Sequence, residues 1–198
     1  MRFVFLDPGP LVDHELMLVA PDLRYLDEVL ASASHQLTLR DAPSFATTSR
    51  EKWLDFLKSA PQGHALGDVA AAKLPAYHFW MRLNEGVGDP PVTIAGGLNL
   101  RIGTNAEIEM YTGNIGYEVY PAARGYHYAE RSCRLLLPLA RRHGMDRLWI
   151  TCNPDNAASR RTCERLGAEL VETVAIPRDH PFRSRGETAK CRYLVKLG

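Results

Sequence analysis

Apolar residues recur in two rhythms along this chain, and the changes of rhythm mark its elements. Residues 15–19 form a short apolar run that reads as a first strand. Past Pro21, Leu23, Leu26, Val29 and Leu30 fall at three- and four-residue intervals and predict a helix over 22–34. Residues 35–47 are polar and without period. Thr48 stands three residues before Glu51 in a capping-box arrangement, and Trp53, Phe56 and Leu57 give one apolar face, so a second helix is expected to residue 59. Residues 61–75 read as a Gly- and Ala-rich loop.

Two strands are predicted over 77–83 and 92–101, around a turn holding Gly88, Asp89, Pro90 and Pro91. A third spans 114–120 and ends at Pro121. A long helix over 125–143 carries Ala129, Cys133, Leu136, Leu137 and Ala140 on one stripe. Arg141, Arg142 and His143 suit its negative end, and Gly144 its C′ position. Pro138 is the misfit, costing about 3 kcal/mol in a helix interior, and predicts a kink over 134–137. A strand over 148–152, a helix over 156–166 closed by Gly167, and strands over 169–175 and 190–196 complete the reading. The second helix is expected to turn Ala157, Arg161 or Cys163, and Leu166 inward.

Consecutive strands in the middle argue an antiparallel meander followed by one crossover unit. The expected fold is therefore mixed α/β: a mostly antiparallel central sheet with helices on both faces. Its 198 residues fit a single domain, 1–198, long enough for a core without staples.

Composition narrows the function classes. Charged residues make up 24% and the net charge is +1, so no basic field for nucleic acid is indicated. Cys133, Cys152, Cys163 and Cys191 lack paired or zinc-ligand spacing and read as small core residues in a reducing compartment. No apolar run is long enough to span a bilayer and no leader is apparent, so a cytoplasmic protein with no metal is expected.

The chemistry concentrates in residues 113–144, where a strand ends at Pro121 and a helix follows a short turn. A helix start leaves unpaired amides carrying partial positive charge, which suits a pyrophosphate. Arg124 adds a donor fork there, and Gly125 permits close backbone approach. Downstream, Asn153, Pro154, Asp155 and Asn156 form a turn and cap. Glu118 is the candidate general base for an acceptor ammonium, against the plainer reading of a solvated strand carboxylate. Glu107 and Glu109 compete for that role. His78, Tyr117 and Tyr120 read as structural.

Arg124-x-x-His127-x-Ala129 resembles the acetyl-CoA loop of the GNAT superfamily, and Asn156-Ala157-Ala158-Ser159 with Glu164-Arg165-Leu166-Gly167 resembles its second cofactor motif. Ile94, Gly97, Arg101, 115–117, Pro121, Tyr128 and Ala129 also resemble a branch of uncharacterised bacterial acetyltransferases. The resemblance covers 92–175. It implies an N-acetyltransferase that moves an acetyl group from acetyl-CoA to a primary amine by direct attack. Residues 1–90 would shape the acceptor site and 91–198 would bind cofactor. Backbone groups of Glu118, Val119 and Tyr120 would hold the pantetheine arm. Amides of Arg124, Gly125, Tyr126, His127, Tyr128 and Ala129 would hold the pyrophosphate. Asn156 and Ser159 would line the thiol end.

Two positions depart from the family pattern. His127 replaces a loop glycine, and Cys163 stands where many members carry a tyrosine that protonates the thiolate. Ser159, Tyr126, solvent or no acid at all are left as alternatives. A non-catalytic acyl-CoA sensor remains the rival function. The acceptor's identity and a homodimer are left open.

Overall fold

The computed structural model describes residues 3–35, 49–68, 73–89 and 91–198. Two antiparallel ladders form its scaffold. The first runs in the order β1 (Val12–Asp13), β2 (Leu16–Val19), β4 (Ala76–Val87), β5 (Val92–Arg101), β6 (Ile115–Val119), with β3 (His64–Ala65) on a free stretch of β4. The second runs β7 (Arg147–Cys152), β9 (Ala189–Lys196), β8 (Glu169–Ala175). The helices are α1 (Leu26–Ala33), α2 (Arg50–Ser59), α3 (Tyr128–Arg142) and α4 (Ala157–Arg165).

Alternation along β4 and β5 builds the two faces. Tyr77, Phe79, Met81, Leu98 and Leu100 pack with Cys133, Leu136 and Leu139 of α3. Each fully buried leucine or phenylalanine there contributes about 1.5–3 kcal/mol. On the opposite face Trp80, Ile94 and Tyr120 pack with Leu26 and Val29 of α1. A register shift between Met81 and Arg82 lets Ala95 join the α3 side while Ile94 faces α1. Glu28 fastens α1 to β5, accepting from Thr93 N and Thr93 Oγ1, both at 2.6 Å. Arg131 fastens α3 to the first hairpin, donating to Asp13 Oδ2 at 2.6 Å and Glu15 Oε1 at 2.7 Å. That guanidinium, with a backbone bond, holds the Glu15 carboxyl down to about 2.

Several expectations need correction. The long helix begins at Tyr128 rather than residue 125, because a 3₁₀ turn over Pro121–Ala123 and an extended Arg124 come first. Pro138 lies inside a continuous helix, on its exposed side, where the missing amide bond and the freed Arg134 carbonyl meet solvent. Ser132 and Leu139 are buried on α3, whereas Ala129 and Leu137 are only partly so. On α4 the buried side is Cys163 with Leu166, and Ala157 and Arg161 are exposed. The cap of α2 is Ser49, whose hydroxyl accepts from Lys52 N at 3.3 Å. Thr48 and Pro90 lie outside the described residues. Trp53, Phe56 and Leu57 are only partly buried, so α2 covers the sheet without joining a sealed core.

Candidate active site

Among the described residues β6 is laddered only to β5, and β7 only to β9. The two sheets meet at Asn114, which is 1% exposed. Its amide donates to Trp149 O at 2.6 Å, and its Oδ1 accepts from Trp149 N at 2.8 Å. Its Nδ2 reaches back to Gly103 O at 2.8 Å and Arg101 O at 3.2 Å. One side chain thus satisfies polar groups on both sheets. A cleft of about 200 Å³ opens beside this pin, lined by Gly116, Tyr117, Thr151, Asn156, Ser159 and Lys190.

The ladder dictates which backbone groups of β6 face this opening. At its two ends Arg101 N donates to Asn114 O and Tyr120 N donates to Ala95 O, both at 2.8 Å, with no register shift between. Alternation then points the amides and carbonyls of Tyr117 and Val119 away from β5, and those of Glu118 toward it. Tyr120 is spent as well: its carbonyl accepts from Ala123 N at 2.9 Å and its ring is fully buried. Of the three residues expected to hold the pantetheine arm, Val119 turns its amide and carbonyl toward the opening, whereas those of Glu118 turn into the β5 ladder and Tyr120 uses its own in the ladder and the turn. Val119 O currently accepts from Arg124 Nε at 3.2 Å.

The turn into α3 is exposed from Arg124 to His127. Gly125 has φ +95° in open space, and His127 has φ +60° and ψ +21°. A left-handed residue with a Cβ costs about 1–2 kcal/mol relative to glycine, and histidine is among the side chains that tolerate it. The imidazole is held aside by Arg165 of α4, whose Nη1 meets His127 Nδ1. His127 supplies no side-chain cap, so the first-turn amides of Tyr128, Ala129 and Glu130 have no intrahelical acceptor. The Tyr128 ring is buried, with Tyr126 stacked on it at 5.6 Å. Glu130 in this first turn is neutralised by Arg134 at 2.8 Å.

At the other end of the cleft, Asn156 caps α4, its Oδ1 accepting from Ser159 N at 3.0 Å. Ser159 Oγ lies 2.8 Å from the Tyr117 hydroxyl. Burial raises that phenol far above its ordinary range, so Tyr117 remains a neutral hydrogen-bonding group. Cys163 is fully buried and desolvation pushes its thiol up to about 12. Glu118 projects from the opposite side of β6, half-buried, and its charge adds to the burial that raises the Tyr120 phenol. Glu107 is committed to Thr112 Oγ1 at 2.6 Å and His180 Nε2 at 3.1 Å. Glu109 accepts from Thr104 Oγ1 at 2.7 Å. Tyr117 as the partner of Ser159, and Asn114 as the pin, were missed in sequence: neither sits in a motif, and strand register alone brings each to its partner. Among the described residues no His, Cys, Asp and Glu cluster could hold a metal, and no helix is long and apolar enough to cross a membrane.

Residues 16–169 match the family model described as an acetyltransferase (GNAT) domain. No curated protein matches the chain. Solved structures of the same architecture include the microcin C7 self-immunity acetyltransferase MccE in complex with acetyl-CoA and AMP, 19% identical, covering 93% of each chain at TM-score 0.65. An acetyltransferase of the same family from Bacillus anthracis is 16% identical, with coverage of 95% and 98% and TM-score 0.65. The ribosomal α-N-protein acetyltransferase RimL in complex with coenzyme A is 18% identical, with coverage of 93% and 96% and TM-score 0.64.

Proposed function

The chain belongs to the GNAT acetyltransferase family, and on that footing we propose that it transfers an acetyl group from acetyl-CoA to a primary amine. The observation that carries this reading is the uncapped first turn of α3, opening beside the outer edge of β6, which no other strand ladders among the described residues. A diphosphate suits the amides of Gly125 through Ala129, with Arg124 swinging off Val119 O to meet it. An amide-bearing arm can donate to Val119 O once Arg124 leaves it. The residues present therefore suit acetyl-CoA, which MccE carries in its complex, and the coenzyme A that RimL carries in its own.

Groups within 91–198 supply these contacts, and α1 and α2 of the first half, packed over the opposite face of the sheet, shape the acceptor side. Acetyl-CoA supplies the activated acyl group. Glu118 takes the proton from the acceptor ammonium, directly or through water, and the amide of Val119 donates to the developing oxyanion. Ser159, hydrogen-bonded to Tyr117, gives a proton to the leaving sulfur and recovers one from solvent. Asn156 keeps the start of α4, and with it Ser159, in place. A cytoplasmic setting and a small-molecule or peptide amine complete the proposal.

The test is calorimetric titration of the pure protein with acetyl-CoA, followed by thiol release over a panel of amines. Saturable binding with amine-dependent release is expected. ATP binding in place of acetyl-CoA would overturn the reading. The sealed Cys163 thiol favours a second reading, an acyl-CoA sensor, for which binding would be intact and release no faster than background.

A further inference from the structure

The face of the first sheet beneath α2 carries a polar row where a core would carry apolar side chains. His78 of β4 is the register partner of Asn99 of β5, which pairs with Gly116 of β6; Gly97 pairs with Glu118 beside them. All of these are half-buried. Phe56 of α2 stands edge-on to His78 at 4.9 Å, and Trp53 edge-on to Trp80 at 5.3 Å, so aromatic rings roof the row. A Cβ on Gly116 would lie 3.4 Å from both Asn99 amide atoms and 3.6 Å from Arg101 Nη1. The missing side chain leaves a slot against those groups. Gly116 also lines the cleft between β6 and β7, so the slot and the cleft share a wall.

The row is electrostatically incomplete. Arg101 presents five donors, yet among the described residues its hydrogen-bond acceptor is Gly113 O at 3.1 Å. Burial works against its charge, and Glu107 acts on it only from beyond ion-pair distance while engaged with Thr112 and His180. His78 offers no counter-charge, since burial lowers it to about 4 and leaves it neutral near pH 7. Asn99 Oδ1 is buried without a hydrogen-bond partner among the described residues. A half-sealed guanidinium beside an unused amide is costly unless an anion completes it.

Building on the acetyl-transfer reading above, we propose that Arg101 and Asn99 form a carboxylate subsite, and that the amine acceptor is a zwitterion carrying its own carboxylate, of the amino-acid class. Arg101 and the Asn99 amide N–H bind the carboxylate. Asn99 Oδ1 and Glu118 accept from the ammonium. Gly116 and Glu118 are two strand positions apart, about 7 Å. One hydrogen bond at each end and the short N–Cα–C link of an amino acid span that distance. The aromatic roof from Trp53, Phe56 and Trp80 leaves the side chain an apolar neighbourhood.

The experiment uses the full chain, acetyl-CoA, and each of the twenty amino acids beside its own carboxamide, with thiol release as the readout and acetyl-CoA affinity measured separately by calorimetry. At least one acid is expected to exceed its amide in kcat/KM by about 10- to 100-fold, the scale of one charge-assisted pair. Arg101→Met should erase that preference through the acceptor KM while acetyl-CoA affinity holds. Asn99→Asp, which sets a carboxylate in the slot, should turn the preference toward the amide, and serves if Arg101→Met does not fold. Amides equal to or better than acids throughout, or no acid consumed by a protein that binds acetyl-CoA, would overturn the zwitterion and leave the acetyl-transfer reading standing. Failure to bind acetyl-CoA would overturn both.

Discussion

Two side chains carry the sharpest tests of the proposal, His127 at the turn into α3 and Glu118 on β6. His127 occupies a left-handed position that favours glycine, with its ring drawn to Arg165. His127→Gly removes strain of about 1 kcal/mol but loosens the unfolded chain and gives up the Arg165 contact. The net expectation is a melting temperature within a few degrees of the parent and acetyl-CoA affinity equal or tighter by calorimetry. A sharp loss of affinity would make the imidazole a ligand instead. Glu118→Gln should lower kcat by about 10²–10⁴-fold, the usual yield of a positioned base, with acetyl-CoA affinity unchanged. Unaltered turnover would return Glu118 to the role of a solvated strand carboxylate. Sequence identified both residues by motif and position. It could not show that Glu118 turns its backbone into the β5 ladder while Val119 turns outward, because that depends on which strand pairs with which and in what register.

Elements differed in how plainly they announced themselves. β5 over 92–101 and β8 over 169–175 were legible to the residue, bounded by proline or glycine turns and dense in β-formers. β1 and β3 have two residues each and no period to detect; they exist because β2 and β4 offer free edges. The start of α3 was misplaced by three residues because Gly125 belongs to the turn and not to the helix. The tie between α3 and the first hairpin was also invisible, since Arg131 meets Asp13 and Glu15 from across the fold. It carries a pH signature. The folded Glu15 carboxyl sits at about 2, below its ordinary 4.5, so its contribution is full above 4.5 and is lost as pH falls toward 2. The urea midpoints of the parent and of Glu15→Gln should differ near neutrality and converge across that interval. Because Glu15 is partly exposed, the gap should be small and should shrink in high salt.

At the scale of the molecule, two ladders are joined at Asn114, and their divergence makes the cleft. The fold class was readable from element order, but the division of the sheet was not, because apolar runs in β6 and β7 look like those of any paired strands. Asn114→Ala strands Trp149 N and the carbonyls of Arg101 and Gly103, and is expected to cost about 2–4 kcal/mol. Urea denaturation would read that loss, and the variant should also weaken acetyl-CoA binding by letting β6 and β7 drift. A stability change under 1 kcal/mol would mean the sheets are held elsewhere. The order β7-β9-β8 has a temporal corollary. Its middle strand is encoded last, so a polypeptide emerging from the ribosome holds β7 and β8 with nothing between them until Ala189–Lys196 appears. The meander of the first sheet has no such wait, and a stalled nascent chain should resist protease over β4 to β6 while the later strands are still cut.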